Sequence, residues 1–100
     1  MTRLRIAPEA EEELAAAAAW YESRRAGLGV ELVAAVERAL DAIVEAPDSP
    51  PLWRADRAYR RYVLQRFPFI ICFLHLDDEV VVVAIAHARR RPGYWLRRTR

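Results

Sequence analysis

Arg60-Arg61-Tyr62-Val63-Leu64-Gln65-Arg66 leads through Phe67-Pro68 into Phe69-Ile70-Ile71-Cys72-Phe73-Leu74-His75-Leu76. The acidic turn Asp77-Asp78-Glu79 follows, and then Val80-Val81-Val82-Val83-Ala84-Ile85-Ala86-His87. The two long runs are β-branched and aromatic and nearly free of charge, which predicts strands buried on both faces. Asp77-Asp78 is polar punctuation that suits a tight hairpin. Pro68 cannot donate to a ladder, so it belongs at a strand start or turn and separates a strand at about 59–66 from one at 69–76. With a third strand at 80–88, the stretch reads as an antiparallel meander. An arginine-rich, aromatic tail, 89–100, comes after it.

Working back toward the N-terminus, Pro47 to Pro51 is a proline-rich link that reaches the meander through Leu52-Trp53. Before it, Leu28, Leu32, Val36, Ala39, Leu40 and Ile43 recur at three- and four-residue spacing, which predicts an amphipathic helix over 28–45 that ends ahead of Pro47. Pro8 suits a first helical turn, and Glu9, Glu11, Glu12 and Glu13 suit the positive end of its dipole. The run Ala15–Ala19 follows, Ala10, Leu14, Ala17 and Tyr21 form one stripe, and Gly27 supplies a left-handed stop, so a helix is expected over 8–25. Two helices joined by so short a link form an antiparallel hairpin. Arg3-Leu4-Arg5-Ile6 alternates like a short strand, at about 2–6, which pairs at a sheet edge or with the final strand. The predicted order is β-α-α-β-β-β. It is an α+β fold, with a helix hairpin on one face of a small, mainly antiparallel sheet, because neither layer hides its apolar face alone.

One hundred residues make a single domain, 1–100. With 54% hydrophobic and 30% charged residues the chain is globular and not disordered. No apolar run approaches the ~20 residues that span a bilayer. The N-terminus lacks a signal-peptide pattern, and the lone Cys72 excludes disulfide staples, so a reducing cytoplasm is expected. Lysine is absent. Residues 1–50 carry five arginines against ten acids, a net −5, and residues 51–100 carry eleven against four, a net +7. A negative and a positive region on one small body follow from that segregation.

Several pieces, taken together and in order, carry a family resemblance: Trp20-Tyr21-Glu22, Gly27-Leu28-Gly29, Ile43 to Pro47, Arg60-Arg61, Arg66-Phe67-Pro68-Phe69, and Ala86-His87-Ala88-Arg89-Arg90-Arg91-Pro92-Gly93-Tyr94-Trp95. Over about residues 5–98 the chain resembles the ParE-like toxins of the RelE/ParE superfamily of bacterial type II toxin–antitoxin modules. The resemblance implies a β-α-α-β-β-β fold, a toxin held inactive by a cognate ParD-like antitoxin in a hetero-oligomer, and DNA gyrase as the poisoned target. It also implies an alternative, since RelE-like relatives cleave mRNA on the ribosome. A third reading is a solitary module that only binds its partner.

Cleavage of RNA needs a general base, an acid and cations for the phosphate. The residues available for it are His87 with Arg60, Arg61 and Arg89. His75, between Leu74 and Leu76, reads as structural. Lysine is absent, the one glutamate of the meander, Glu79, lies in the acidic turn at the other end of the strand from His87, and no His/Cys/Asp cluster has metal-ligand spacing, so no catalytic set, metal or cofactor is expected. The stronger candidate is the basic aromatic tail: Arg89, Arg90, Arg91, Tyr94, Trp95, Arg97 and Arg98, with Arg100. Arginine forks grip phosphate or carboxylate and aromatic rings stack. Target binding through this tail, with DNA contact indirect or non-specific and salt-sensitive, competes with Trp95 simply packing back on the body. Leu14, Trp20, Tyr21, Arg60 and Arg61 are the candidate antitoxin contacts, for an amphipathic helix laid in the groove between hairpin and sheet.

Overall fold

The computed structural model describes residues 2–98, so Arg100, counted with the tail above, lies outside the described residues. The order is β1 (Arg3–Ile6), α1 (Pro8–Arg24), α2 (Leu28–Glu45), β2 (Arg60–Val63), β3 (Phe69–Leu76) and β4 (Glu79–His87), with a closing 3-10 turn at Leu96–Arg98. Two helices thus pack on a four-stranded sheet, as the periodicities predicted. The sheet order is β1-β4-β3-β2. β2, β3 and β4 are antiparallel neighbours, and β1 lies at the edge parallel to β4, with Arg3 opposite Glu79 and Ile6 opposite Val82. The long helical crossover makes that parallel pairing possible.

Each helix ends where its chemistry tells it to. Gly27, at φ 88°, holds the left-handed turn between α1 and α2. Glu22 reaches across it and accepts from the amides of Gly27 (2.7 Å) and Gly29 (2.9 Å), satisfying donors at the start of α2. Those amide bonds, Gly27 first, hold the Glu22 carboxyl below the usual carboxylate range. At Gly29 the helices come closest: a Cβ there would sit 2.4 Å from the Ala18 carbonyl oxygen.

β2 is shorter than the 59–66 expected, because Leu64 and Phe67 turn inward and are buried. Leu64 donates to the Phe69 carbonyl, which closes a turn where a ladder would otherwise run on. The β3–β4 hairpin turns at Asp77, whose φ of 53° is one that aspartate tolerates.

The sheet has two buried faces. On the helix side lie Phe69, Ile71 and Phe73 of β3, with Val80, Val82 and Ile85 of β4, packed on Leu32, Val36 and Ile43. On the other side lie Cys72 and Leu74, with Val81, Val83, Ala84 and Ala86. Val83 and Ala84 share a face because of a β-bulge: Cys72 pairs with Ala84 and Phe73 with Val82, leaving Val83 extra and reversing the alternation after it. The second face is covered by the C-terminal segment. Trp95 is 3% exposed and meets Trp53 (5.1 Å), Tyr94 (5.5 Å) and Tyr59 (6.4 Å) edge to face. The segment 88–98 is therefore a strap across the sheet, with the 53–59 loop as its neighbour.

Candidate functional site: a basic strap over the sheet

The strap is fastened at its far end by Glu13 of α1. One carboxylate oxygen of Glu13, Oε1, accepts from the Ile85 amide (3.0 Å) and from Arg98 Nη1 (3.0 Å). The other, Oε2, accepts from the Tyr94 hydroxyl (2.5 Å) and from Arg98 Nη2 (3.3 Å). Arg98 Nη1 also donates to the Val83 carbonyl (3.0 Å). β1 pairs only as far as Val82, so beyond it the edge of β4 lies open. Glu13 and Arg98 meet the backbone groups that the bulge turns toward that edge, where an unpaired strand would otherwise be exposed. Burial, with the Glu13 hydrogen bond behind it, pushes the Tyr94 hydroxyl above the usual tyrosine range. The sequence pattern assigned Glu13 only to the helix dipole; no local signal ties this glutamate in the second turn of α1 to a tail 80 residues away.

Between the strap and β2 is a hollow of about 140 Å³, lined by Trp53, Arg61, Cys72, Arg90, Tyr94 and Trp95. Arg61 pairs with Cys72 in register, so it rises on the strap side. Its guanidinium makes no hydrogen bond or ion pair among the described residues. Arg90 lies with its Cζ 3.8 Å from the Tyr94 ring centroid and Nη1 4.0 Å from Glu13 Oε2. Arg89, Arg90, Arg91 and Arg97 are exposed, while Arg98 is half-buried. Burial pushes the Cys72 thiol on the hollow's floor up to about 12, so it stays a neutral thiol.

The tail residues thus divide into two groups. Trp95, Tyr94 and Arg98 hold the strap down, and the guanidinium groups of Arg89, Arg90 and Arg91 stand on the turn and bend that follow β4.

Of the residues of the hydrolytic alternative, Arg61 and His87 both line the hollow between the strap and β2, while Arg60 lies apart. Arg60 lies on the helix side opposite Phe73, donating to the carbonyls of Pro50 (2.8 Å) and Asp48 (3.2 Å). It anchors the proline-rich link. His87 pairs with Phe69, and its ring packs edge-on to that phenylalanine at 5.3 Å. Its Nδ1 accepts from the Arg89 amide at 3.1 Å. Arg60 and His87 are four residues apart along β3, roughly 13 Å, on opposite flanks of it, while Arg61 points to the face opposite Arg60. His75 bonds Asp48 at 2.8 Å and joins Arg60 in holding the link. Among the described residues no group of three His, Cys, Asp or Glu could hold a metal ion, and no helix is long and apolar enough to cross a membrane.

The candidate antitoxin contacts lie mostly around the hairpin. Trp20 is 53% exposed, with the Arg24 guanidinium stacked over it at 4.5 Å. Tyr21 turns inward against Phe67 (5.2 Å) and Phe69 (6.3 Å). Leu14 is half-buried and lines a hollow of about 310 Å³ with Ile6, Val33 and Leu40. On the outer side of the hairpin, Ala18, Ala19, Val30, Val33 and Ala34 form an apolar trough of about 470 Å³. Val30 in it is 70% exposed. Arg60 and Arg61 lie away from this surface, on β2.

No curated protein matches the chain. Among solved structures, a chain of the chromosomal ParDE toxin–antitoxin system from P. aeruginosa has the same fold, with a TM-score of 0.67. It is 19% identical, and the match covers 87% of this chain and 96% of that one. The family model described as the ParE toxin of type II toxin–antitoxin system, parDE, matches residues 4–92. With nearly the whole domain matched, from β1 through the turn that begins the strap, this chain belongs to the ParE toxin family.

Proposed function

We propose that this protein is the toxin of a toxin–antitoxin pair, that it poisons DNA gyrase by binding rather than by chemistry, and that a cognate antitoxin neutralises it in the cytoplasm. The observation that carries this reading is the strap. Its aromatic residues and Arg98 are committed to the body, Arg90 is exposed but stacked on the Tyr94 ring, and Arg89 and Arg91 are exposed beside it. A poison has to hold an enzyme–DNA intermediate, and fixed guanidinium forks suit phosphate or carboxylate there at little ordering cost. Arg61 and His87 line one hollow, but Arg60 is committed to the Pro50 and Asp48 carbonyls and the His87 Nδ1 to the Arg89 amide, which weighs against the ribonuclease alternative.

The apolar trough on the hairpin supports the second half of the proposal. A disordered antitoxin segment that folds into an amphipathic helix would cover Trp20 and Val30 and bury them. The test is plasmid supercoiling by purified gyrase with the antitoxin-free protein. Lost supercoiling with trapped, protein-linked linear DNA supports the proposal, and Arg89→Glu/Arg91→Glu should abolish the trapping. Normal supercoiling by a folded, toxic sample would overturn it and turn attention to mRNA cleavage, where His87→Ala is the decisive variant.

A further inference from the structure

Glu13 is one of the places where the acidic N-terminal half and the basic C-terminal half of the chain meet, beside Glu31 with Arg66 and Asp48 with Arg60, and its role extends past closing a sheet edge. Both of its oxygens are fully engaged, by one amide, one phenol and a guanidinium fork. The Tyr94 ring that it holds is in turn the platform for Arg90, 3.8 Å above the centroid, with Arg98 Cζ 5.0 Å from the same ring. We propose that Glu13 is a positioning residue for the strap: through Tyr94 and Arg98 it fixes where Arg90 and its neighbours Arg89 and Arg91 stand. The proposal rests on the gyrase reading of the strap.

The chemistry favours aim over mere adhesion. Trp95 supplies much of the apolar burial under the strap, and a buried ion pair adds little net stability over an apolar contact of the same shape, although removing one partner leaves the other unpaired and loosens the strap. What a carboxylate adds is direction, because its lone pairs fix the approach of each donor. Glu13 sits on α1, which packs directly on β4, so the reference frame for the strap is the rigid helix–sheet core.

The test uses the full chain with Glu13→Ala and Glu13→Gln. Two quantities are read: the concentration needed to trap linear DNA on gyrase, and the rate at which a thiol reagent modifies Cys72 beneath the strap. Glu13→Ala should modify Cys72 at least about tenfold faster, because local opening is no longer opposed by the clasp. Its trapping concentration should rise by a similar factor while the helical circular dichroism stays at the wild-type level. Glu13→Gln retains one carbonyl oxygen for the Ile85 amide and an NH2 that can donate to the Tyr94 hydroxyl oxygen, but loses the carboxylate fork to Arg98, so it should recover part of the potency.

Gly29→Ala, a destabilising change remote from the strap, controls for stability. At a temperature where it is folded it should trap as well as wild type. Equal trapping by Glu13→Ala and wild type would overturn the proposal. If Glu13→Ala does not fold, Tyr94→Phe and Arg98→Gln release the strap side of the clasp while leaving the Ile85 bond, and the same two readouts apply. If the wild type leaves gyrase untouched, the functional reading fails, and the clasp stands or falls on Cys72: a wild-type rate in Glu13→Ala sinks it.

Discussion

Replacing Trp95 by alanine tests whether the strap is part of the folded unit. Trp95 is 3% exposed, so nearly its whole side chain leaves water on folding. An aromatic side chain buries about 150–250 Å², which at ~25 cal/mol per Å² is about 4–6 kcal/mol. Discounting ~10–40% for burial already present in the unfolded chain leaves about 2–5 kcal/mol. That overlaps the ~3–5 kcal/mol typical of core tryptophan truncations. One term opposes it: the Trp95 indole N–H is buried without a partner, at a cost of about 1–3 kcal/mol. Phenylalanine loses some packing but sheds that donor, so Trp95→Phe should cost only about 1 kcal/mol. For a domain of this size, about 3 kcal/mol lowers the melting temperature by roughly 15 °C. Urea unfolding followed by far-ultraviolet circular dichroism measures both variants without relying on tryptophan fluorescence. A Trp95→Ala loss below about 1 kcal/mol at unchanged m-value would mean that the strap lies outside the cooperative unit. The basic surface would then not be held on a fixed base.

Gly29→Ala should cost about 2 kcal/mol, since its new methyl meets the Ala18 carbonyl at 2.4 Å and the helices must part; a melting temperature equal to wild type would contradict that close approach. The Glu22 carboxyl has a lower pKa folded than unfolded, so its contribution is full above the unfolded value of ~4.3 and fades as pH falls through the folded one. The melting-temperature advantage of wild type over Glu22→Gln should therefore be level from neutral pH down to about 5 and shrink progressively at lower pH; an advantage that does not shrink as the pH is lowered contradicts it. Cys72 in the wild type should resist thiol reagents at pH 8 and react only on unfolding, because burial holds the thiol at about 12; rapid native labelling would show an open strap.

How much of this was legible follows from the range of the forces involved. The helices were readable because periodicity, caps and the Gly27 stop are local, and helix α2 spans Leu28–Glu45 as its apolar spacing predicted. β3 and β4 were readable as doubly buried strands from composition alone. What covers the second face was not readable, because Trp95 meets Trp53 across 42 residues, through a cluster that no repeat or spacing marks. The bulge at Val83 is equally silent, since four consecutive valines carry no sign of which one is extra. The strap residues were noticed for their charge, and the sequence offered target binding and packing as rivals. The structure divides those roles among neighbours, with Trp95 buried and Arg89, Arg90 and Arg91 exposed.

The bulge is what makes the rest of the strap's arrangement possible. With strict alternation, the backbone groups of Val82 and Ala84 would face the β1 side of β4. The extra Val83 reverses this after Val82, so that the Val83 carbonyl and the Ile85 amide face outward instead, where β1 has ended. A carbonyl and an amide two residues apart at an open edge call for one donor and one acceptor, and Arg98 and Glu13 are that pair. The same reversal puts Val83, Ala84 and Ala86 together under Trp95, giving the strap a flat, small-residue bed. Deleting Val83 should therefore do more than shorten a strand. It would restore alternation with the flanking pairs kept, so that Ile85 stays in the helix core and Ala84 and Ala86 stay under Trp95, but it would withdraw the Val83 carbonyl that Arg98 meets and leave only the Ile85 amide for the clasp. A folded Val83-deletion protein with Cys72 still protected and melting unchanged would show that the clasp does not depend on the bulge.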